Sequence, residues 1–256
     1  MGAALAEGLL RAQWCTPDEL CVTVRRADAV AALAVRLPGV SISAGLPTQG
    51  LDGVSGALLC VKPDYAEPVA ATLASAGITR VLSVVAGLSC ARLEAVFQTP
   101  VAVVRSMPNT PVLVGKGVTA IAGGAFVTSD DLTWAESILA AVGTVVRVTE
   151  RQMDAVTGLS GPMPAYLYLV VEALIDAGVH QGLSREISRQ LVVDSFLGSA
   201  VLLSESGLSP EELRAQVTSP GGTTAAGLRI LESRAVRSAF LETVAAAAER
   251  SRQLGR

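Results

Sequence analysis

The sequence predicts an α/β fold: a largely parallel sheet packed between helices over residues 1–150, followed by an all-helical half over residues 151–256. Up to about residue 148, short β-branched runs alternate with Ala- and Leu-rich stretches, the rhythm of βαβ units around a parallel sheet. From residue 152 onward the apolar spacing lengthens to a helical period and no convincing strand remains. Composition agrees. Half of the residues are apolar and only 4% are aromatic, which suits packed helices and buried parallel strands better than a sandwich or barrel.

In chain order, strands are expected at residues 20–24, 40–43, 57–61, 80–84, 101–105, 118–121 and 144–148, with helices near 28–37, 65–76, 90–97 and 131–142. The first unit lacks something. A dinucleotide-binding fold opens with a strand and then G-x-G-x-x-G, so that tight glycine turns let a pyrophosphate approach the start of the first helix. Here Met1-Gly2-Ala3-Ala4-Leu5 reads as the end of such a loop entering a helix over 4–10, with the strand and the first two glycines absent; a plain amphipathic N-terminal helix has the same appearance. In the second half, Ile187, Leu191, Val192, Phe196, Leu197 and Val201 keep one apolar face over about four turns. Ser209-Pro210-Glu211-Glu212 is a helix start, with an N-cap Ser, Pro at the first position and Glu at the third. These helices are more apolar than a solitary bundle requires, so part of their surface is expected to meet a partner chain.

A net charge of −3 with no dense Lys/Arg run argues against nucleic acid or an anionic membrane as the main partner and favours a small molecule. Cys15, Cys21, Cys60 and Cys90 form no C-x-x-C pair, and His180 is the only histidine, so zinc sites, a disulfide framework and histidine-based triads are not indicated and no metal is expected. His180 is expected in an exposed connection between helices. Charged residues interrupt each apolar run before the roughly 18–20 residues of a membrane span. Export and lipid-anchor signals are not recognised, and a reducing cytoplasm is the expected setting.

Several strand ends carry chemistry. Val24-Arg25-Arg26 ends the strand that reads the adenosine ribose in dinucleotide folds. An acidic residue there selects NAD, whereas guanidinium groups suit a 2′-phosphate through bidentate bonds, so NADPH is expected, with NADH as the alternative. Two solvated arginines are the plainer explanation. Cys60-Val61-Lys62-Pro63 and Val84-Val85-Ala86-Gly87 end successive strands at the carboxyl edge, where ligands bind in open α/β sheets. Arg105-Ser106-Met107-Pro108-Asn109-Thr110-Pro111 is a proline-stiffened loop from which Asn109 and Thr110 are expected to project. Val217-Thr218-Ser219-Pro220-Gly221-Gly222-Thr223-Thr224 places glycines and hydroxyls immediately before a helix, a carboxylate nest or a simple capped turn.

Together with Asp154-Ala155-Val156-Thr157-Gly158-Leu159-Ser160-Gly161, Pro164-Ala165-Tyr166 and Gly182-Leu183-Ser184, these motifs resemble the pyrroline-5-carboxylate reductase family along essentially the whole chain. The resemblance implies a Rossmann-type N-terminal domain and a helical C-terminal domain that interlocks into a homodimer or a ring of dimers. It implies NADPH-dependent reduction of the cyclic imine 1-pyrroline-5-carboxylate to L-proline. By the same resemblance, Ser219 and the backbone of Gly221, Gly222 and Thr223 bind the substrate carboxylate, and Thr224 faces the ring nitrogen. Gly2, Arg25, Arg26, Val61, Lys62, Pro63, Ala86, Gly87 and Asn109 line the cofactor.

The sequence departs from the family pattern in four places. The first strand and glycines are missing. Ser160-Gly161-Pro162-Met163-Pro164-Ala165-Tyr166 has Met163 where a glycine is usual, Asp194-Ser195 replaces a Gln-Thr pair, and no Asn stands near Pro47-Thr48-Gln49. A central strand with about four large apolar side chains, at ~1.5–3 kcal/mol each, represents on the order of 10 kcal/mol, comparable with the roughly 5–15 kcal/mol net stability of a domain. Met1 is therefore expected to be an internal methionine of a longer natural chain. Two other functions stay open: reduction of a related cyclic imine, suggested by Met163 and Asp194, and a catalytically inactive dimeric binding protein, suggested by the lost phosphate loop.

Overall fold

The alternating β-branched runs fold as strands joined mainly by helical crossovers. The computed structural model describes residues 1–45 and 53–255; Pro47, Thr48 and Gln49 lie outside the described residues. In order come α1 (Gly2–Arg11), β1 (Cys21–Val24), α2 (Asp28–Arg36), β2 (Ser41–Ala44), β3 (Ala57–Leu59), α3 (Ala66–Ser75), β4 (Arg80–Ser83), α4 (Cys90–Glu94), β5 (Ala102–Pro108), β6 (Gly117–Gly123), α5 (Ser129–Ala140) and β7 (Gly143–Arg147). The helical half comprises α6 (Met153–Leu159), α7 (Met163–His180), α8 (Arg185–Glu205), α9 (Pro210–Gln216), α10 (Thr223–Ser233) and α11 (Val236–Leu254). His180 is thus the last residue of α7 and exposed, one position before the connection expected to hold it.

The chain divides into two compact units, one of Met1–Pro162 with the stretch from Val244 onward, the other Met163–Thr243. The division follows Pro162 because α6 belongs to the sheet: Met153 is fully buried with Ala120 and Ala122. Gly158 meets the backbone of Val244 and Ala248 in α11 so closely that a Cβ would stand 2.7 Å from the Val244 carbonyl.

In the first unit, β3-β4-β5-β6-β7 form one sheet, and the pairing of Leu58 with Leu82 and of Val81 with Val103 sets its register. Strand alternation then covers both faces. Val81 and Val103 point toward Ala66, Ala70 and Leu73 of α3 and Leu93 of α4. Leu82 and Val104 point the other way, toward Leu5 and Leu9 of α1 and Ile138 and Leu139 of α5. One pairing differs from the parallel expectation: β5 and β6 are antiparallel, with Arg105 opposite Ala122 and Pro108 opposite Thr119. Their connection is a single 3-10 turn, Thr110–Val114, ended by Gly115 at φ +70°, too short for the helical crossover a parallel pair needs.

β1 and β2 form a separate parallel pair, with Cys21 opposite Ser41. Among the described residues β1 pairs only with β2, and β3 only with β4. The sheet is therefore interrupted between β1 and β3, the position a first strand occupies in a doubly wound sheet. α1 starts beside the end of β3, where a Cβ on Gly2 would lie 3.0 Å from that of Cys60.

The second unit is built on the α7 and α8 pair. Ser188 of α8 packs on Gly178 of α7, where an added Cβ would stand 2.6 Å from its Oγ. Large apolar side chains remain uncovered: Leu167, Tyr168 and Leu169 on α7, Ile187, Leu191 and Leu197 on α8. Contrary to the sequence-based expectation, residues 150–180 and Arg185–Glu205 are each long and apolar enough to cross a membrane by length and composition. Their charges are too few to break the runs, Glu172 and Asp176 in α7 and Arg189 and Asp194 within α8. Isolated charges on long helices are compatible with apolar faces that meet another protein helix.

Candidate active site

The carboxyl ends of β3 and β4 carry two turns of small and rigid residues. Val61 is half-buried, Lys62 and Pro63 are exposed, Ala86 is half-buried and Gly87 is buried. Gly87 needs to be glycine twice over: its φ is +75°, and a Cβ would stand 3.1 Å from the Leu254 side chain and backbone. Hydroxyls brace the start of this turn. Ser83 Oγ accepts the Val85 N–H at 3.3 Å, and Ser106 Oγ donates to the Ser83 carbonyl at 2.9 Å.

Just beyond, Ser89 caps α4 by accepting the Arg92 N–H at 3.3 Å. The next residue, Cys90, is tied to a distant carboxylate. Glu150 accepts the Cys90 N–H at 3.2 Å through Oε1 and the thiol at 3.1 Å through Oε2. Buried Arg105 donates to the same Oε1 at 2.9 Å. Burial, and then the negative charge of Glu150, pushes the Cys90 thiol far above the usual thiol range. Burial likewise pushes Cys60 up to about 11. Both thiols are protonated at physiological pH and unsuited to nucleophilic work.

At the end of β1, Arg25 lies over the Tyr65 ring at 4.6 Å from its centroid, while Arg26 pairs with Asp28 at 3.1 Å. α1 begins without a side-chain cap and with no acidic residue in its first turn, leaving positive backbone potential at Gly2. A cleft of about 180 Å³ beside this edge is lined by Pro63, Asp64, Glu67, Ala86, Gly87 and Arg92, with Leu254 closing one side. Asn109 behaves differently from its expected projecting role. It is buried, its Oδ1 accepting the Val118 N–H at 3.0 Å and its Nδ2 donating to the Ser160 carbonyl at 3.4 Å, so its amide ties β6 to the end of α6.

In the second unit, Ser219 to Thr224 form a tight turn into α10. Gly221 has φ +72°, and the Gly222 N–H donates to the Ser219 carbonyl at 3.1 Å. A Cβ on Gly222 would collide with Ser219 Oγ. The bond to the Ser219 carbonyl occupies the Gly222 amide, contrary to its expected role, but no side chain caps α10 and its first turn holds no acid, so the Ser219 hydroxyl stands beside the remaining helix-start amides, an arrangement suited to a carboxylate. Thr224 is half-buried and Thr223 exposed; Met163 opens α7, and Asp194 and Ser195 are exposed on α8.

Within the first unit the structure thus places Val61, Lys62, Pro63, Ala86, Gly87 and Arg25 at the strand-end edge and Gly2 beside Cys60, while the nest belongs to the second unit. Tyr65, Cys90 and Glu150 were not singled out from sequence. Tyr65 had a signal in its position two residues after Pro63; Glu150 had none, since its partners lie 45 and 60 positions away. Among the described residues no group of three or more His, Cys, Asp or Glu is placed to hold a metal.

A sheet with small-residue turns at its carboxyl edge, joined to a helical half with uncovered apolar faces, is the plan of a dinucleotide-binding oxidoreductase with an association domain. Residues 150–254 match the family model described as pyrroline-5-carboxylate reductase dimerisation. Across 100% of this chain and 96% of the relative, the sequence is 40% identical to a pyrroline-5-carboxylate reductase of Corynebacterium melassecola. A Mycobacterium tuberculosis enzyme of that name is 41% identical over 99% of this chain and 93% of its own. Among solved structures, a Coxiella burnetii pyrroline-5-carboxylate reductase superposes with TM-score 0.91 at 32% identity, covering 100% of this chain and 95% of that one. A Plasmodium falciparum pyrroline carboxylate reductase with NADP bound gives TM-score 0.88 at 31% identity over the same shares. The chain belongs to the pyrroline-5-carboxylate reductase family.

Proposed function

We propose that this protein reduces 1-pyrroline-5-carboxylate to L-proline with NADPH, working in the cytoplasm as a homodimer or a ring of dimers. The observation that carries the reading is near-full-length identity of about two residues in five with reductases of that name, combined with an uncapped, glycine-rich helix start bearing Ser219.

The cofactor-side residues fit a phosphorylated dinucleotide: an uncapped α1 start for phosphate, small turns at Ala86 and Gly87 for close approach, and Arg25 without a carboxylate partner among the described residues. NADPH, when bound, supplies the hydride. Gly2, Arg25, Arg26, Val61, Lys62, Pro63, Ala86 and Gly87 would hold it, with Asn109 bracing the edge from within. Toward substrate, Ser219 Oγ and the amides of Gly221 and Thr223 bind the carboxylate, the Gly222 N–H being held by the Ser219 carbonyl, and the Thr224 hydroxyl orients the ring nitrogen. A protonated imine is already a good electrophile, so positioning supplies most of the catalysis. The two shielded thiols and the exposed His180 have no chemical step to perform.

Met163 favours one variant of this reading, a ring of different size or substitution, because a long side chain begins α7 where the family usually has glycine. An inactive binding role would follow instead if the interrupted sheet abolished nucleotide affinity. Steady-state kinetics on two variants test the assignment. Ser219→Ala, which removes a hydrogen bond to a charged group, raises the KM for the imine acid by roughly 10- to 100-fold. Thr224→Val lowers kcat by about tenfold. Unchanged KM and kcat in both variants would overturn the residue roles.

A further inference from the structure

Arg25 and Arg26 end β1 side by side, yet the structure gives them different surroundings. Arg26 makes an exposed ion pair through Nε with Asp28 Oδ1 at 3.1 Å, which places a negative charge beside its guanidinium. Arg25 has no ion pair or hydrogen bond among the described residues; its contact is with the face of Tyr65, 4.6 Å from the ring centroid. Tyr65 lies in the single 3-10 turn Pro63–Tyr65 that follows Val61-Lys62, so the contact spans from the end of β1 to the end of β3, across the interruption in the sheet. A cation over an aromatic face is held in place without using an anionic partner. Such a guanidinium keeps its full charge for an incoming phosphate, for which its planar fork is well matched.

We propose that Tyr65 is a specificity-determining residue for the phosphorylated form of the cofactor. Its ring holds Arg25 at the adenosine-reading strand end, and Arg25 rather than Arg26 supplies the main contact to the 2′-phosphate. The inference rests on the NADPH reading above and adds to it a division of labour between the arginines and a residue that orients one of them. Tyr65 is a positioning residue: it acts through Arg25, and its hydroxyl has no hydrogen bond among the described residues.

The test needs no turnover. Calorimetric titration of the purified protein with adenosine 2′,5′-bisphosphate and with 5′-AMP measures the preference for the 2′-phosphate directly. The protein is expected to favour the bisphosphate, Tyr65→Phe to keep that preference because the ring face remains, and Tyr65→Leu to cut it about two- to fivefold, the range of an exposed cation–π contact. Arg25→Ala removes most of it, while affinity for 5′-AMP stays within twofold in the Tyr65 variants. A Tyr65→Leu protein with the original preference, or one weakened equally toward both nucleotides, overturns the role of Tyr65. A parent protein that prefers 5′-AMP overturns the NADPH reading beneath it, and the two failures are told apart by which protein shows them.

Discussion

Replacing Glu150 by Ala is expected to destabilise the first unit by about 2–3 kcal/mol and to loosen the turn at Ala86 and Gly87. Its carboxylate accepts from Arg105, from the Cys90 backbone and from the Cys90 thiol, joining β5, the start of α4 and the segment before α6. The Arg105 side chain is 7% exposed, so removing its partner leaves a buried cation uncompensated, a change worth about 3–5 kcal/mol in fully buried pairs. Glu150 is 33% exposed, and water entering on that side recovers part of the loss, which sets the lower figure. With a urea m value of about 2–3 kcal/mol/M, the unfolding midpoint falls by about 1 M. Glu150→Gln keeps an acceptor for the Cys90 N–H and loses roughly half as much. In kinetics the KM for NADPH is expected to rise more than kcat falls, because the turn that drifts is on the edge proposed to hold the cofactor. A midpoint unchanged by Glu150→Ala would refute the claim that this carboxylate holds the three elements together.

Alkaline pH should weaken the fold through its shielded thiols. Cys60 is raised to about 11 from 9.0 and Cys90 is raised further, so above about pH 9 the folded state holds protons that the unfolded chain releases. Stability is then full below pH 9 and falls as pH climbs toward 11, by about 1.4 kcal/mol per pH unit for each thiol; urea midpoints across that range, with Cys90→Ser showing a shallower decline, check the sign.

The strands were legible as short runs of β-branched and aliphatic residues between helical stretches, and the helix start at Ser209 because its capping box is local: Ser209 Oγ accepts the Glu212 N–H at 3.2 Å while Glu212 accepts the Ser209 N–H at 2.7 Å. The reversal of β6 was not read, although the stretch between Pro108 and Gly117 was visibly too short for a crossover helix. Asn109 was read as projecting because a Pro-Asn-Thr-Pro turn resembles a surface loop; the partners that bury it, Val118 and Ser160, come from elements distant in sequence or beyond a turn. The Arg105, Glu150 and Cys90 cluster shares that character, since no local pattern marks a carboxylate whose partners arrive from two other elements. Two apolar stretches read as interrupted because single charges such as Glu172 and Asp194 count as breaks in a run, although so few charges leave the helix apolar on average.

The most direct test of the account is NADPH oxidation by the purified protein supplied with 1-pyrroline-5-carboxylate, followed together with the amount of proline formed. Saturable oxidation is expected, with one proline appearing for each NADPH consumed and slower turnover with NADH. A folded protein that binds NADPH yet forms no proline from this substrate would contradict it.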